Sequence, residues 1–137
     1  MENRSIESLV EFVLNQVQSV RDGTFDTIKS DVVAAASLEA QLLLADILSS
    51  AEFEVKQREN DLDFIEAEIA TNIRTEFKEP SKKITEAQVK ELVSSKLEIK
   101  EAKSNSAVAH KEFKKWQYIY NTLKDSHIFF RNLNKTQ

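Results

Sequence analysis

IKEAKSNSAVAHKEFKKWQYIYNTLKDSHIFF, residues 99–130, decides the fold. Ile99, Ala102, Ser106, Ala109, Phe113, Trp116, Tyr120, Leu123, His127 and Phe130 follow one another at steps of three and four. That spacing keeps one seam of an α-helix turned toward a partner helix. With Ile99 taken as position a, the e positions read Lys96, Lys103, His110, Gln117, Lys124 and Arg131, so four of six carry a fixed positive charge. A helix with an aromatic seam and a basic shoulder either pairs with an acidic helix or lies along a polyanion. Both choices point to binding rather than catalysis.

The charge is divided along the chain. Residues 1–79 form an acidic helical half, with seven Lys and Arg against seventeen Asp and Glu, a balance of −10. Residues 80–137 form a basic half with twelve against six, a balance of +6, leaving −4 overall. Two explanations stay open at this point. The halves attract each other, within a chain or between subunits, or the basic half is kept for an anionic ligand while the acidic half meets proteins.

The 137 residues amount to a single helical domain, and one whose long helices bury less core than a compact globule of equal length. Gly23 and Pro80 are the one glycine and the one proline, too little punctuation for sandwiches, barrels or phosphate-cradling loops. The expected class is therefore all-α: long helices with a heptad seam, packed as a hairpin or bundle in a homo-oligomer. The absence of cysteine excludes disulfides, thiolate metal sites and thiol catalysis, and fits a reducing compartment. The opening MENRSIES lacks the layout of a signal peptide. No uninterrupted apolar run approaches the ~20 residues of a bilayer span. The expectation is a cytoplasmic protein without membrane contact, in the host cytoplasm if the chain is phage-encoded.

Working outward from the seam, a first helix is expected over Ile6–Arg21, where Ile6, Leu9, Val10, Val13, Val17 and Val20 recur at helical spacing and Asp22-Gly23-Thr24 makes the stop. A long second helix follows from about Asp26 to Phe77, with a possible break in the charged stretch EVKQRENDLD and an end before Glu79-Pro80. Ser81–Ile84 reads as a short basic loop. Thr85-x-x-Gln88 is a capping box with Ile84 and Val89 as a hydrophobic staple, and Ser95-x-x-Glu98 has the form of a second one opening the last helix. That helix, Lys96 to about Leu133, is roughly 57 Å long at ~1.5 Å per residue, with Asn132–Gln137 expected to fray.

Chemistry finds little purchase. The histidines, His110 and His127, lie seventeen residues apart and on different helical faces. His127 falls on the seam, where a polar residue helps set register. No metal-ligand spacing and no phosphate loop is present, and the Ser and Thr residues have no base beside them. Glu52, Glu54, Glu59, Asp61, Asp63, Glu66 and Glu68 point in different directions around a helix and have no histidine with them, unlike a di-metal bundle. The expectation is a non-enzymatic chain without metal or cofactor.

Binding has better candidates. Lys111, Lys114 and Lys115 crowd a turn beside Trp116, Tyr118 and Tyr120, the mixture of cation and ring that single-stranded nucleic acid uses. Trp116 and Tyr120 sit on the seam and serve packing, whereas Tyr118 lies off it and is free to stack. Phe113, Trp116, Tyr120, Leu123 and Phe130 would leave an apolar stripe on a monomer unless the earlier helices cover it, so they are expected to join subunits.

Two stretches resemble UvsY-type recombination mediators of tailed phages. EVKQRENDLDF places Lys56-x-Arg58 on the long helix, similar to the K-x-R of that family's single-stranded-DNA-binding region. VKELVSSKLEIKEAKSNSAVAHKEFKKWQYIYNTLKD is similar to the family's C-terminal pattern, a Lys-rich approach and a capped turn leading into a long helix with one Trp. The likeness covers residues 40–133. It departs after the K-x-R, where DFIEAEIATN replaces a small, Gly-containing stretch. The resemblance implies a homo-oligomer that binds single-stranded DNA, displaces or remodels single-strand-binding protein and helps load a RecA-like recombinase. The contacts it and the lysine cluster nominate are Lys56, Arg58, Lys111, Lys114, Lys115 and Tyr118. Two rival readings remain: a helical interaction protein, such as a phage inhibitor or assembly chaperone, that meets a basic protein surface, and a bare structural coiled coil.

Overall fold

A computed structural model describes residues 5–77 and 84–135, and among them the chain is all-α, with no strand. Helix α1 is Ile6–Arg21, a 3₁₀ turn covers Thr27–Lys29, α2 is Ser30–Glu76, α3 is Glu86–Ser95 and α4 is Leu97–Lys135. Pro80 and the proposed loop at 81–83 lie outside the described residues.

The ends of α1 follow from local chemistry. Ser5 caps it by accepting from the Ser8 amide at 3.1 Å. At the far end, the Thr24 amide donates to the Ser19 carbonyl at 2.9 Å and the Gly23 amide to Val20 at 3.2 Å. This is a Schellman closure, which needs a left-handed residue, and Gly23 supplies it at φ 73°.

The chain packs as two compact units, Met1–Ser50 with Lys114–Gln137, and Ala51–Phe113. Neither coincides with the acidic or the basic half, since each takes segments from both. In the first unit, Val33, Ala36, Ala40 and Leu44 form one stripe of α2 at helical steps, and all four are buried. Ala36, Ala40 and Leu44 share a core with Leu9, Val10 and Val13 of α1 and Leu123 of α4, with Trp116, Ile119 and Tyr120 packed at its edge. A neighbouring cluster joins Val33 and Ala34 to Phe130, edged by Phe25 and Leu133. The buried hydroxyls of Ser37 and Ser126 are satisfied within their own helices, Ser37 donating to the Val33 carbonyl at 2.9 Å and Ser126 to the Thr122 carbonyl at 2.7 Å. His127 donates from Nδ1 to the Ala34 carbonyl at 3.0 Å, tying α4 to α2.

The second unit is built by Ile73 of α2, Val89 and Val93 of α3, and Ile99 of α4, with Leu62, Ile65, Ile69 and Ile84 around them. The capping box opening α3 forms as expected: Thr85 Oγ1 accepts from the Gln88 amide at 3.1 Å and Gln88 returns the bond to the Thr85 amide at 2.9 Å. Arg74 grips Glu86 with two bonds, at 2.8 and 3.1 Å, joining α2 to α3. The guanidinium, by hydrogen bond and then by charge, holds the Glu86 carboxyl below its ordinary range. A carboxyl depressed in the folded state adds stability above its unfolded pKa, and that contribution fades as pH falls through the folded value. Glu86→Gln should therefore slightly flatten the acid side of the stability profile, read as melting temperature against pH below about 5, and lower neutral stability by the same small amount, because an exposed pair contributes little.

Three expectations are corrected. EVKQRENDLD is no break, since α2 runs through it; (i, i+4) pairs Glu52–Lys56 and Glu54–Arg58 favour helix there. The second capping box does not form: the Ser95 hydroxyl donates back to the Leu92 carbonyl at 2.7 Å, Ser95 ends α3 and the extended Lys96 separates the helices. The last helix continues to Lys135 rather than fraying from Asn132, with Leu133 packed on the Phe130 cluster holding its final turns. Within one chain the seam of α4 is covered in part. Leu123 and Phe130 are fully buried and Trp116 and Tyr120 half-buried within the first unit, and Phe113 is half-buried in the second.

The hydropathy expectation changes as well. Apolar runs are short, yet the stretch Thr27–Glu76 contains an 18-residue window of mean hydropathy 1.6, long and apolar enough by composition to cross a membrane. Packing inside the protein covers 39% of that window.

Candidate nucleic-acid interface

The nominated residues divide between the units. Lys56, Arg58 and Lys111 belong to the second, and Lys114, Lys115 and Tyr118 to the first. Lys56 and Arg58 are two residues apart on α2, which turns them to opposite sides of the helix. Each already has carboxylate company. Lys56 Nζ lies 3.7 Å from Glu52, while Arg58 binds Glu54 at 2.7 Å and approaches Asp61 at 3.8 Å. Arg58 is half-buried and lines an open groove of about 260 Å³ with Asp61, Phe64 and Asn105. A phosphate arriving there would have to displace carboxylates already in place, so the K-x-R does not form one cationic site.

The lysines of α4 are arranged differently. Lys111, Lys114 and Lys115 are exposed, and none is paired with a carboxylate among the described residues. Lys115 lies over the Trp116 ring, its Nζ 4.8 Å from the ring centroid, a cation–π contact that leaves the ammonium accessible. Tyr118 is 74% exposed. It forms one wall of an open groove of about 480 Å³ within the first unit, with Val17, Val20, Phe129, Arg21 and the carboxylate of Asp125 also lining it. A ring beside a cation and an apolar recess is a stacking platform for a base whose phosphate is held nearby.

Two residues join this face that the lysine cluster did not include. Lys100 and Lys103 of the second unit precede Lys111 on α4, and the positions 100, 103, 107, 111, 114 and 118 follow at steps of three and four without a carboxylate. Lys100 and Lys103 are exposed and, among the described residues, unpaired with carboxylates. Lys103 is already among the e positions of the seam register, whereas Lys100 and Lys114 fall at b and Lys111 and Tyr118 at f, so no single heptad position carries the charge. Position e borders the seam. His110 shows this: it is half-buried, with Nε2 2.8 Å from Glu59 rather than facing a ligand.

Comparison with protein-family models, with curated proteins and with solved structures finds no match for this chain.

Proposed function

We propose that the chain is a non-enzymatic recombination mediator that binds single-stranded DNA along the outer face of α4 and helps a RecA-like recombinase replace single-strand-binding protein. The observation that carries the DNA part is the set of exposed lysines on α4, Lys100, Lys103 and Lys111 in the second unit, and Lys114 and Lys115 near the exposed ring of Tyr118 in the first. Ammonium groups on flexible stems track a phosphate backbone without reading sequence, and the tyrosine adds base stacking that every base can satisfy. The mediator role rests on the resemblance of the two stretches given above.

Fluorescence anisotropy with labelled oligo-dT tests the reading. Tyr118→Ala should weaken binding by ~1–3 kcal/mol with no change in salt slope, because stacking releases no counterions. Lys56→Ala with Arg58→Ala should matter less than any pair of α4 lysines, since carboxylates already neutralise both. A larger loss from that pair would restore the family's K-x-R as the contact. No binding in ~50 mM salt, where backbone contacts are strongest, would leave the protein-partner reading in its place.

A further inference from the structure

The groove beside Tyr118 in the first unit holds a polar set that base stacking does not use. Arg21 of α1 and Thr122, Asp125 and Ser126 of α4 line it together with the apolar Val20 and Phe129. Arg21 and Asp125 are exposed, and neither is ion-paired among the described residues. The two hydroxyls have their protons committed within α4: Thr122 donates to the Tyr118 carbonyl at 2.9 Å and Ser126 to the Thr122 carbonyl at 2.7 Å. Thr122, Asp125 and Ser126 therefore offer only acceptors to a ligand, and Arg21 offers a cation. A ligand that fits has an apolar body, a donor edge and an anionic group.

We infer that this groove recognises guanine in single-stranded DNA, with Asp125 accepting the N1–H and N2–H of the base and Arg21 holding a phosphate of the same strand. The inference rests on the DNA-binding reading above and adds a base preference to it. Guanine alone among the four bases sets two N–H donors side by side on its Watson–Crick edge. A carboxylate sets two acceptors side by side, so the pair is bidentate and charge-assisted. Adenine and cytosine place a ring-nitrogen lone pair next to their amino group, and thymine flanks its single N–H with two carbonyls. Each of these would turn a lone pair toward the carboxylate, an unmade bond beside a charge. Val20 and Phe129 suit the face of a purine. Tyr118 precedes Asp125 by seven residues, two turns of α4 or about 10.5 Å on the same side of the helix, which leaves its ring for a neighbouring base. The lysines of α4 hold the backbone of any sequence, and Asp125 supplies the discrimination among bases.

Fluorescence anisotropy on the full-length protein tests this with strands that alternate dT with dG, deoxyinosine or dC, so that a variable base is within reach in every register. The dG strand should bind about tenfold tighter than the dC strand, within the range a bidentate base contact gives. Inosine lacks the 2-amino group and should lose most of that gain. Asp125→Ala should erase the preference and leave oligo-dT binding equal or slightly tighter, with circular dichroism unchanged because the side chain is exposed. In a second arm, millimolar dGMP should shift the amide resonances of Val20, Asp125 and Phe129 more than dAMP or dTMP does, in the wild type and in a variant with Lys100, Lys103, Lys111, Lys114 and Lys115 all changed to Ala. Equal binding of the dG and dC strands, inosine binding as well as guanine, or a dG preference that survives Asp125→Ala would each overturn the proposal. Strands that bind without preference would leave DNA binding standing and remove the guanine site, whereas dGMP binding by a protein that ignores every oligonucleotide would do the reverse.

Discussion

Phe130→Ala should cost about 3–5 kcal/mol of stability, read as a drop in urea midpoint and in melting temperature. The ring is fully buried. It packs with Val33 and Ala34 of α2, lies 5.1 Å from the Phe25 ring centroid and meets Phe129 edge-on at the same distance. Removing it loses transfer energy and leaves a cavity that rigid helices cannot collapse into. It also loosens the segment between α1 and α2, because Phe25 stacks on the Phe130 ring. Phe129→Ala, at a half-exposed ring, should cost much less, and this comparison separates core packing from general loss of aromatic area. Were the seam instead joining subunits, the Phe130→Ala loss would depend on protein concentration. Burial inside one chain makes it concentration-independent.

Replacing Lys100, Lys103, Lys111, Lys114 and Lys115 with Ala should abolish most affinity for oligo-dT and flatten its salt dependence. Each lysine that neutralises a phosphate of a single strand contributes about −0.7 to the slope of log affinity against log salt. Five contacts give roughly −3.5, which weakens wild-type binding about 100-fold between 50 and 200 mM salt. The five-alanine variant should lose that slope and weaken all sequences alike. Stability should hardly change, because the side chains are exposed.

What was legible in the sequence was what depends on neighbours along the chain. The bounds of α1, its glycine stop and the Thr85 capping box are set by three to six residues each, and they form as read. The heptad seam of α4 was legible as a spacing. Its occupant was not, because a seam specifies that something apolar lies opposite without saying whether α1 and α2 or a second subunit supplies it. Ser95 misled because a serine at a helix boundary can cap the next helix or bond back into the previous one, and here Leu92 takes the hydroxyl. The Lys56-x-Arg58 pair was visible as letters but not as geometry: two residues along a helix point apart, and the pairing with Glu52, Glu54 and Asp61 appears only once rotamers are fixed.

The most direct measurement is the anisotropy titration of wild-type protein against labelled oligo-dT across 50–200 mM salt. The expected result is binding at low salt with a log–log slope near −3.5, flattened in the lysine variant and unchanged in Tyr118→Ala. Absence of binding at low salt, or binding indifferent to both salt and the five lysines, would contradict a DNA interface on α4.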